Sequence, residues 1–322
     1  MSDQVPANVW VDTDMGVDDI HALLYLRHAG VMPVAQSLSF GCASLTQVSH
    51  NAAGFSRVFR WNRPWHRGAA QSFRGETRTA AHVLGTSGLP TRSACLPQTA
   101  QLPSTASAID ALMSWLSDHP PHAQVLALGP LSNIANLCLQ APELAQRIHR
   151  LTWMGGATAR GNQTAHAEFN AWADAQAAAV VFASGIPVRM VDLEACRQVQ
   201  LRPEDLRPLS RVRNAAGRLL HDLLGGYLDI GLSRGRPGMA IYDPVAAAAL
   251  VSPEDFDSRK VSIDVISDTG EHEGQTVLRQ HPSAERYHEI VTVRNPDALK
   301  TRLLEALLAA TEPPQAGRPD GD

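Results

Sequence analysis

The chain has 322 residues, 44% of them hydrophobic, with 28 basic against 32 acidic side chains and a formal net charge of −4. That is enough apolar material for one large core or two smaller ones, and too little basic charge, with no long basic stripe, for a nucleic-acid footprint. The opening MSDQVPANVW has neither the basic nor the apolar region of a secretion signal, and apolar runs such as Val245 to Val251 are far too short to span a bilayer, so a cytoplasmic protein with no nucleic-acid or membrane partner is expected.

In chain order, β-like runs alternate with helical ones. Strands are expected at Asn8 to Asp12, Val34 to Phe40, Ala123 to Leu128, Arg150 to Met154 and Pro187 to Val191. Helices are expected at Asp18 to Ala29, Leu45 to Phe59, Ser107 to Ser117 and Asp174 to Ala183. Such alternation predicts an α/β fold with an open, mostly parallel sheet flanked by helices. A helical stretch from Pro203 to Leu232 and another from Asp243 to Leu250 follow, then β-like runs at 260–266, 275–279 and 289–293 and a last helix, Pro296 to Ala310. We read residues 1–311 as a single domain and 312–322, rich in Pro, Gly and acid, as a disordered tail. Cys42, Cys95, Cys138 and Cys196 are widely spaced with no C-x-x-C pair, which argues for reduced thiols over a disulfide framework or a zinc site.

The segment VWVDTDMGVDDIHALLYL, residues 9–26, crowds Asp12, Asp14, Asp18 and Asp19 where the first strand gives way to the first helix, with Gly16 expected to permit the turn. The carboxyl ends of strands are where open α/β sheets bind ligands. Capping a helix N-terminus accounts for one or two of the four. Converging carboxylates otherwise call for raised pKa values or a bound cation, and a hard, oxygen-loving ion, calcium or magnesium, suits them. An EF-hand loop starting at Asp12 would need Gly and Glu where Val17 and Leu23 stand. A haloacid-dehalogenase-type phosphatase also opens on a strand ending in D-x-D, but it resembles a phosphate binder with a lysine ahead of a second acidic pair. Here Lys260 and Lys300 are the only lysines, and no such pair follows them.

DTDMGVDD instead resembles the D-x-D-x-G-x-D-D hallmark of the nucleoside hydrolase family, the inosine-uridine preferring type, with Met15 where proline is commoner. ALGPLSNIA (127–135), MGGATARGNQTAHAEFNAWAD (154–174) and YDPVAAAAL (242–250) resemble further family segments in order and spacing, so the resemblance runs from about residue 8 to about residue 310. It implies hydrolysis of the N-glycosidic bond of ribonucleosides to ribose and free base, with one calcium ion per subunit. Asp14, Asp19, Asp243 and the Leu128 main-chain carbonyl are the implied ligands, and Asp14 would activate the calcium-bound water. Asp18 is implied to bind the ribose 2′-hydroxyl, Asn170 the 3′-hydroxyl, Asn162 and Glu168 the 5′ end, and Phe169 the ribose or base; Asp12 would orient its neighbours. These groups would stabilise an oxocarbenium-like transition state. Family members are usually homodimers or homotetramers that serve nucleoside salvage, so self-association and that role are expected here.

Three departures bear on the base end. Cys42 stands where many members have Asn, which together with LEACRQV (193–199) looks like a cysteine-bearing branch; we place it in the pocket wall as a small buried residue. Tyr242 stands where many members have His before Asp243-Pro244; with His82 it is a candidate catalytic group at the departing base, to which a phenol, with a pKa of about 10, can donate a hydrogen bond although it is a poorer acid than imidazole. His82 and Tyr227 are further candidate contacts near the base. The aromatic content is only 5%, so Trp153 and Trp172 are either a stacking surface or core. Gly231 to Gly238 reads as a flexible loop that closes over substrate. Asn133 reads as a turn or cap residue and Asp174 as a helix start. A nucleoside- or ribose-binding protein that kept the ion site and lost turnover is the alternative function, and the phosphatase a distant one.

Overall fold

A computed structural model describes residues 6, 8–98, 102, 106–118, 123–279 and 288–312; from residue 313 on, the expected tail lies outside the described residues. The strands are β1 (Val9–Thr13), β2 (Ala35–Leu38), β3 (Trp65–Arg67), β4 (Ala123–Ala127), β5 (Ile148–Met154), β6 (Val188–Val191), β7 (Gln200–Leu201), β8 (Met239–Ala240), β9 (Phe256–Val265), β10 (Thr276–Arg279) and β11 (His288–Val293). Nine form one sheet in the order β10-β9-β11-β6-β5-β4-β1-β2-β3, and β7 and β8 pair separately. From β3 across to β11 every neighbour is parallel; β9 runs antiparallel to β11 and β10. This is the expected α/β fold.

Helices cover both faces, and the alternation of the strands sorts their side chains between two cores. Val9, Val11, Leu126 and Leu128 join one core with residues of the helices Val17–His28, Leu45–Phe59, Ala215–Ser233, Asp243–Val251 and Pro296–Ala309. Trp10, Val125, Ala127, Leu151 and Trp153 join the other with residues of Ala108–Asp118, Ser132–Gln140 and Ala175–Ala183. The buried, alanine-rich helix Asp243–Val251 offers little side-chain bulk, which lets the helix Val17–His28 lie close against it.

The strand order fixes where a ligand can enter. The chain winds from β1 outward to β3, then returns to place β4 on the other side of β1. Connections leaving the carboxyl ends of β1 and β4 therefore diverge and open a crevice between them. Asp12 pairs with Ala127 across this junction, so Asp14 and Leu128, just beyond the strand ends, meet at the crevice.

Four local expectations are corrected. The stretch Pro203 to Leu232 is not one helix: it breaks after the short turns Pro203–Leu206 and Arg207–Ser210, and restarts at Ala215, where Asn214 Oδ1 accepts from Gly217 N at 2.8 Å. Gly231 ends up inside the helix Ala215–Ser233, so the connecting segment is shorter than expected. The turn after β1 takes its left-handed residue at Met15 (φ 52°), not at Gly16; what Gly16 supplies is room, since a Cβ there would lie 2.6 Å from Cys42 Sγ. Finally, β3 was not anticipated.

Candidate active site

At the crevice lies a cavity of about 740 Å³. Its floor is acidic. Asp18 and Asp19 occupy the first turn of the helix Val17–His28, and Asp243 opens the helix Asp243–Val251. Both helix N-termini turn their positive ends toward these carboxylates. Asp19 is held by Gly16 N, donating to Oδ2 at 2.8 Å, and by the Thr13 hydroxyl, donating to Oδ1. Asp14 Oδ2 accepts from Cys42 N at 2.7 Å. That approach depends on Gly41, where a Cβ would stand 2.0 Å from the same oxygen.

Burial, then the Asp19 carboxylate, drives Asp14 well above the usual carboxylate range. The same two causes push Asp18 up to about 7, and burial followed by the Asp18 and Asp19 charges raises Asp243 well above its ordinary value. Ligand atoms of Asp18, Asp19 and Asp243 lie within 4.8 Å of one another, as do those of Asp14, Asp19 and Cys42. Two such groups sharing Asp19 could hold a metal ion, and an oxygen-rich donor set of this kind fits a hard cation.

The walls carry the neutral and amide groups. Asn170 donates through Nδ2 to the carbonyls of Leu128 at 3.1 Å and Met154 at 3.0 Å, which fixes the amide and commits its donor end. Glu168 caps the helix Phe169–Ala173: Oε2 accepts from Gly156 N at 3.0 Å and Ala171 N at 3.1 Å, and burial still lifts the acid to about 7. The exposed Asn162 accepts from Phe169 N at 2.9 Å. Tyr227 points its hydroxyl at Asp18 Oδ2, 3.4 Å away, and the Ala240 carbonyl, 3.2 Å away. Burial, then the charges of Asp14, Asp19 and Asp18, raises the Cys42 thiol well above its ordinary value, which leaves it neutral and a poor nucleophile. Tyr242 is pushed up to about 12, by burial first.

All the site residues expected from the sequence, Asp14, Asp18, Asp19, Cys42, His82, Leu128, Asn162, Glu168, Phe169, Asn170, Tyr227, Tyr242 and Asp243, line this one cavity. Asp12 does not. It shares the sheet face of Trp10, where Oδ1 accepts from Asn133 Nδ2 at 2.7 Å and from the Ser37 hydroxyl, and burial raises it to about 7. Asn133, expected as a turn or cap residue, is thus the anchor of Asp12, and its Oδ1 also accepts from Ala69 N at 2.8 Å. Asp174 does begin a helix, accepting from Ala177 N at 3.2 Å. Trp153 is core, fully buried and bonded to the Gly129 carbonyl, and Trp172 lies beneath the Arg78 guanidinium, away from the cavity lining. What the sequence did not disclose is a set of arginines, Arg160, Arg197, Arg234 and Arg236, in the cavity wall. Their nearness to Asn162 and to the Gly231–Gly238 stretch was the available signal.

Comparison with known proteins agrees with this geometry. Residues 9–301 match the profile of the family described as inosine-uridine preferring nucleoside hydrolase. A non-specific ribonucleoside hydrolase, RihC, of Salmonella paratyphi B is 33% identical over 272 residues, 84% of this chain and 87% of the relative. Among solved structures, a plant nucleoside hydrolase, the PpNRh1 enzyme, superposes with a TM-score of 0.86 at 25% identity, over 94% of this chain and 99% of that one. A purine-preferring ribonucleoside hydrolase from Gardnerella vaginalis, at 22% identity and a TM-score of 0.87 with the same coverage, shares the fold.

Proposed function

This chain belongs to the inosine-uridine preferring nucleoside hydrolase family and is a ribonucleoside hydrolase, and from that premise we propose that it is calcium-dependent, with Asp14 as the general base. The observation that carries the proposal is the buried acidic floor at the β1/β4 crevice, where ligand atoms of Asp18, Asp19 and Asp243, and of Asp14, Asp19 and Cys42, lie within 4.8 Å of one another. Asp14, Asp19, Asp243 and the Leu128 carbonyl would hold the ion, one per subunit. When bound, calcium supplies positive charge that keeps these carboxylates ionised and polarises water and the ribose diol.

The protein's own groups then divide the work. Asp14, held by Cys42 N, takes a proton from the attacking water at its carboxylate. Asp18 accepts from the 2′-hydroxyl. Asn170, whose donor end is committed to two carbonyls, offers Oδ1 to the 3′-hydroxyl. Asn162 and Glu168 hold the 5′ end and Phe169 contacts the sugar or base. As positive charge develops on the ribose, the surrounding carboxylates and amide oxygen stabilise it without reorganising. At the base end, a phenol held at about 12 offers a hydrogen bond rather than a proton, so Tyr242, with His82 and Tyr227, is assigned to orienting the departing base. Cytoplasmic location and self-association into a dimer or tetramer are part of the same proposal, the latter tested by light scattering.

The test is incubation with inosine, uridine, adenosine and cytidine, with calcium and with a chelator, following reducing sugar. Release that chelation abolishes and calcium restores is expected. Turnover that survives exhaustive chelation would overturn the role of the ion. Thermal stabilisation by nucleosides without sugar release would favour a binding protein.

A further inference from the structure

Ala80, His82, Val83 and Leu84 line the cavity, whereas Arg78, two residues earlier in the same segment, does not. The wall they form is thin: the short helical turn Ala81–Leu84 buries none of its residues, and it is entered from Ala80, whose N–H donates to the Gly41 carbonyl at 3.0 Å. The Arg78 side chain, only 14% exposed, reaches away from this wall into the protein. Its Nη1 donates to the Trp172 carbonyl at 3.0 Å and meets Glu273 Oε1 at 3.1 Å, its Nε donates to Glu76 Oε2 at 2.7 Å, and its guanidinium lies 4.5 Å from the centroid of the Trp172 ring. Trp172 belongs to the helix Phe169–Ala173, which brings Phe169 and Asn170 into the same cavity. Glu273 belongs to the connection between β9 and β10, residues 266–275, and its carboxylate, 7% exposed, also meets Arg74 Nε at 3.3 Å. That connection is itself fastened to the site. Gly274 packs so closely on Trp172 that a Cβ there would lie 2.5 Å from the Trp172 Cα, and the Thr276 hydroxyl that follows donates to the Ala157 carbonyl at 2.8 Å and accepts from Ala157 N at 3.0 Å.

A buried ion pair adds little net stability, because desolvating both charges offsets most of their attraction. What it does fix is geometry. A guanidinium is planar, stays charged and presents its donors in a rigid fork, and Arg78 spends that fork on joining three pieces of chain, one of them 94 residues away. The ribose-holding residues have anchors of their own, since Asn170 and Glu168 bond to main-chain groups of the neighbouring strands and turns. The His82 wall is the piece that depends on Arg78. Resting on the reading that His82 contacts the departing base, we propose that Arg78 is a positioning residue for departure of that base: braced on Glu273 and Trp172, it holds the His82 wall at a fixed distance from the ribose end. It touches neither substrate nor ion. Its effect is on alignment, where a misplacement of about 1 Å costs about a hundredfold in rate.

Two kinds of substrate separate this role from a general loss of structure. The base of inosine or uridine leaves with help from a hydrogen-bond or proton donor, whereas para-nitrophenyl β-ribofuranoside carries the same sugar and a leaving group that departs as a stable phenolate without one. Wild type, Arg78→Gln, Arg78→Lys, Glu273→Gln and His82→Gln should be assayed on both kinds at saturating calcium. In Arg78→Gln the kcat for the nucleosides is expected to fall at least about tenfold and that for the nitrophenyl riboside less than about threefold. Glu273→Gln should shift the ratio of the two the same way by less, and Arg78→Lys, which keeps the charge and loses the fork, should recover part of the nucleoside rate. If Arg78→Gln does not fold, Glu273→Gln and Arg78→Lys carry the same comparison. A wild-type ratio in the variants, whether both rates stay or both fall together, overturns the proposal. His82→Gln tells the failures apart: if it lowers nucleoside kcat while the Arg78 variants keep the wild-type ratio, the positioning role alone is lost, and if it leaves nucleoside kcat unchanged, the base contact fails and the proposal with it. A wild type that turns over neither kind of substrate overturns the hydrolase reading itself, and the proposal falls with it.

Discussion

Asp12 and Asp14 lie two positions apart, yet only Asp14 lines the cavity. Strand alternation sends Asp12 to the face of Trp10, where Asn133 and Ser37 hold it, whereas Asp14 lies past the end of β1 and enters the cavity. Replacing Asp14 by Asn keeps the shape and removes the basic oxygen, so kcat is expected to fall by about 10²–10⁴-fold while ribose affinity, read by calorimetry, changes far less. An Asp14→Asn enzyme with near-native kcat would remove it as the base. Asn133→Ala should act on stability instead, because it withdraws the 2.7 Å bond from a buried carboxylate whose other oxygen has no hydrogen bond to any described residue. A loss of about 2 kcal/mol is expected, read as a lower urea midpoint. The acidic floor was legible in the sequence because its spacing is a dense, ordered motif. The anchoring role of Asn133 was not, because it depends on a partner 121 residues away. Nor were the arginines, which in a sequence look like ordinary solvated surface.

Between elements, the helix Val17–His28 is held to the last helix by His21, whose Nε2–H donates to the Leu303 carbonyl at 2.8 Å, and β11 is tied to the helix Ala175–Ala183 by His288 Nε2–H and the Phe182 carbonyl at 3.2 Å. Burial lowers both pKa values, His21 to about 4. Because the unfolded chain binds protons to these groups first, their neutral forms stabilise the fold fully above the unfolded value of about 6.5, and that contribution is lost as pH falls, for His21 down to about 4. These imidazoles therefore pull the urea midpoint down between pH 7 and pH 5 against the opposite pull of the buried carboxylates, so the midpoint of the wild type minus that of His288→Leu should shrink on going from pH 7 to pH 5; an unchanged difference would show that this imidazole stays charged when folded. Elements of strong periodicity were legible to within a few residues, as for the helix Leu45–Phe59. β3 escaped because three residues carry no period, and the break before Ala215 escaped because a capping asparagine inside a leucine-rich stretch looks the same as a surface one.

For the whole molecule, the α/β class follows from alternation alone, but the strand order does not. Nothing local in β4 announces that it returns to the side of β1 away from β2 and β3, and that return creates the crevice. The same return gathers groups from distant parts of the chain, Asp14 and Asp19 after β1, Leu128 after β4 and Asp243 from a late helix, into one acidic floor. Folding must therefore bring like charges together, and an ion that binds only the assembled floor stabilises the folded state by linkage. At free calcium about 100-fold above its Kd this amounts to about 2.7 kcal/mol, a rise of a few degrees in Tm. Protons compete for the same carboxylates, whose folded pKa values are raised, so the calcium-induced rise should be larger at pH 8 than at pH 5. Scanning calorimetry with calcium and with chelator at both values checks this. An identical Tm in calcium and in chelator at pH 8 would mean that the folded protein tolerates its clustered carboxylates without an ion, and the calcium assignment would fall with it.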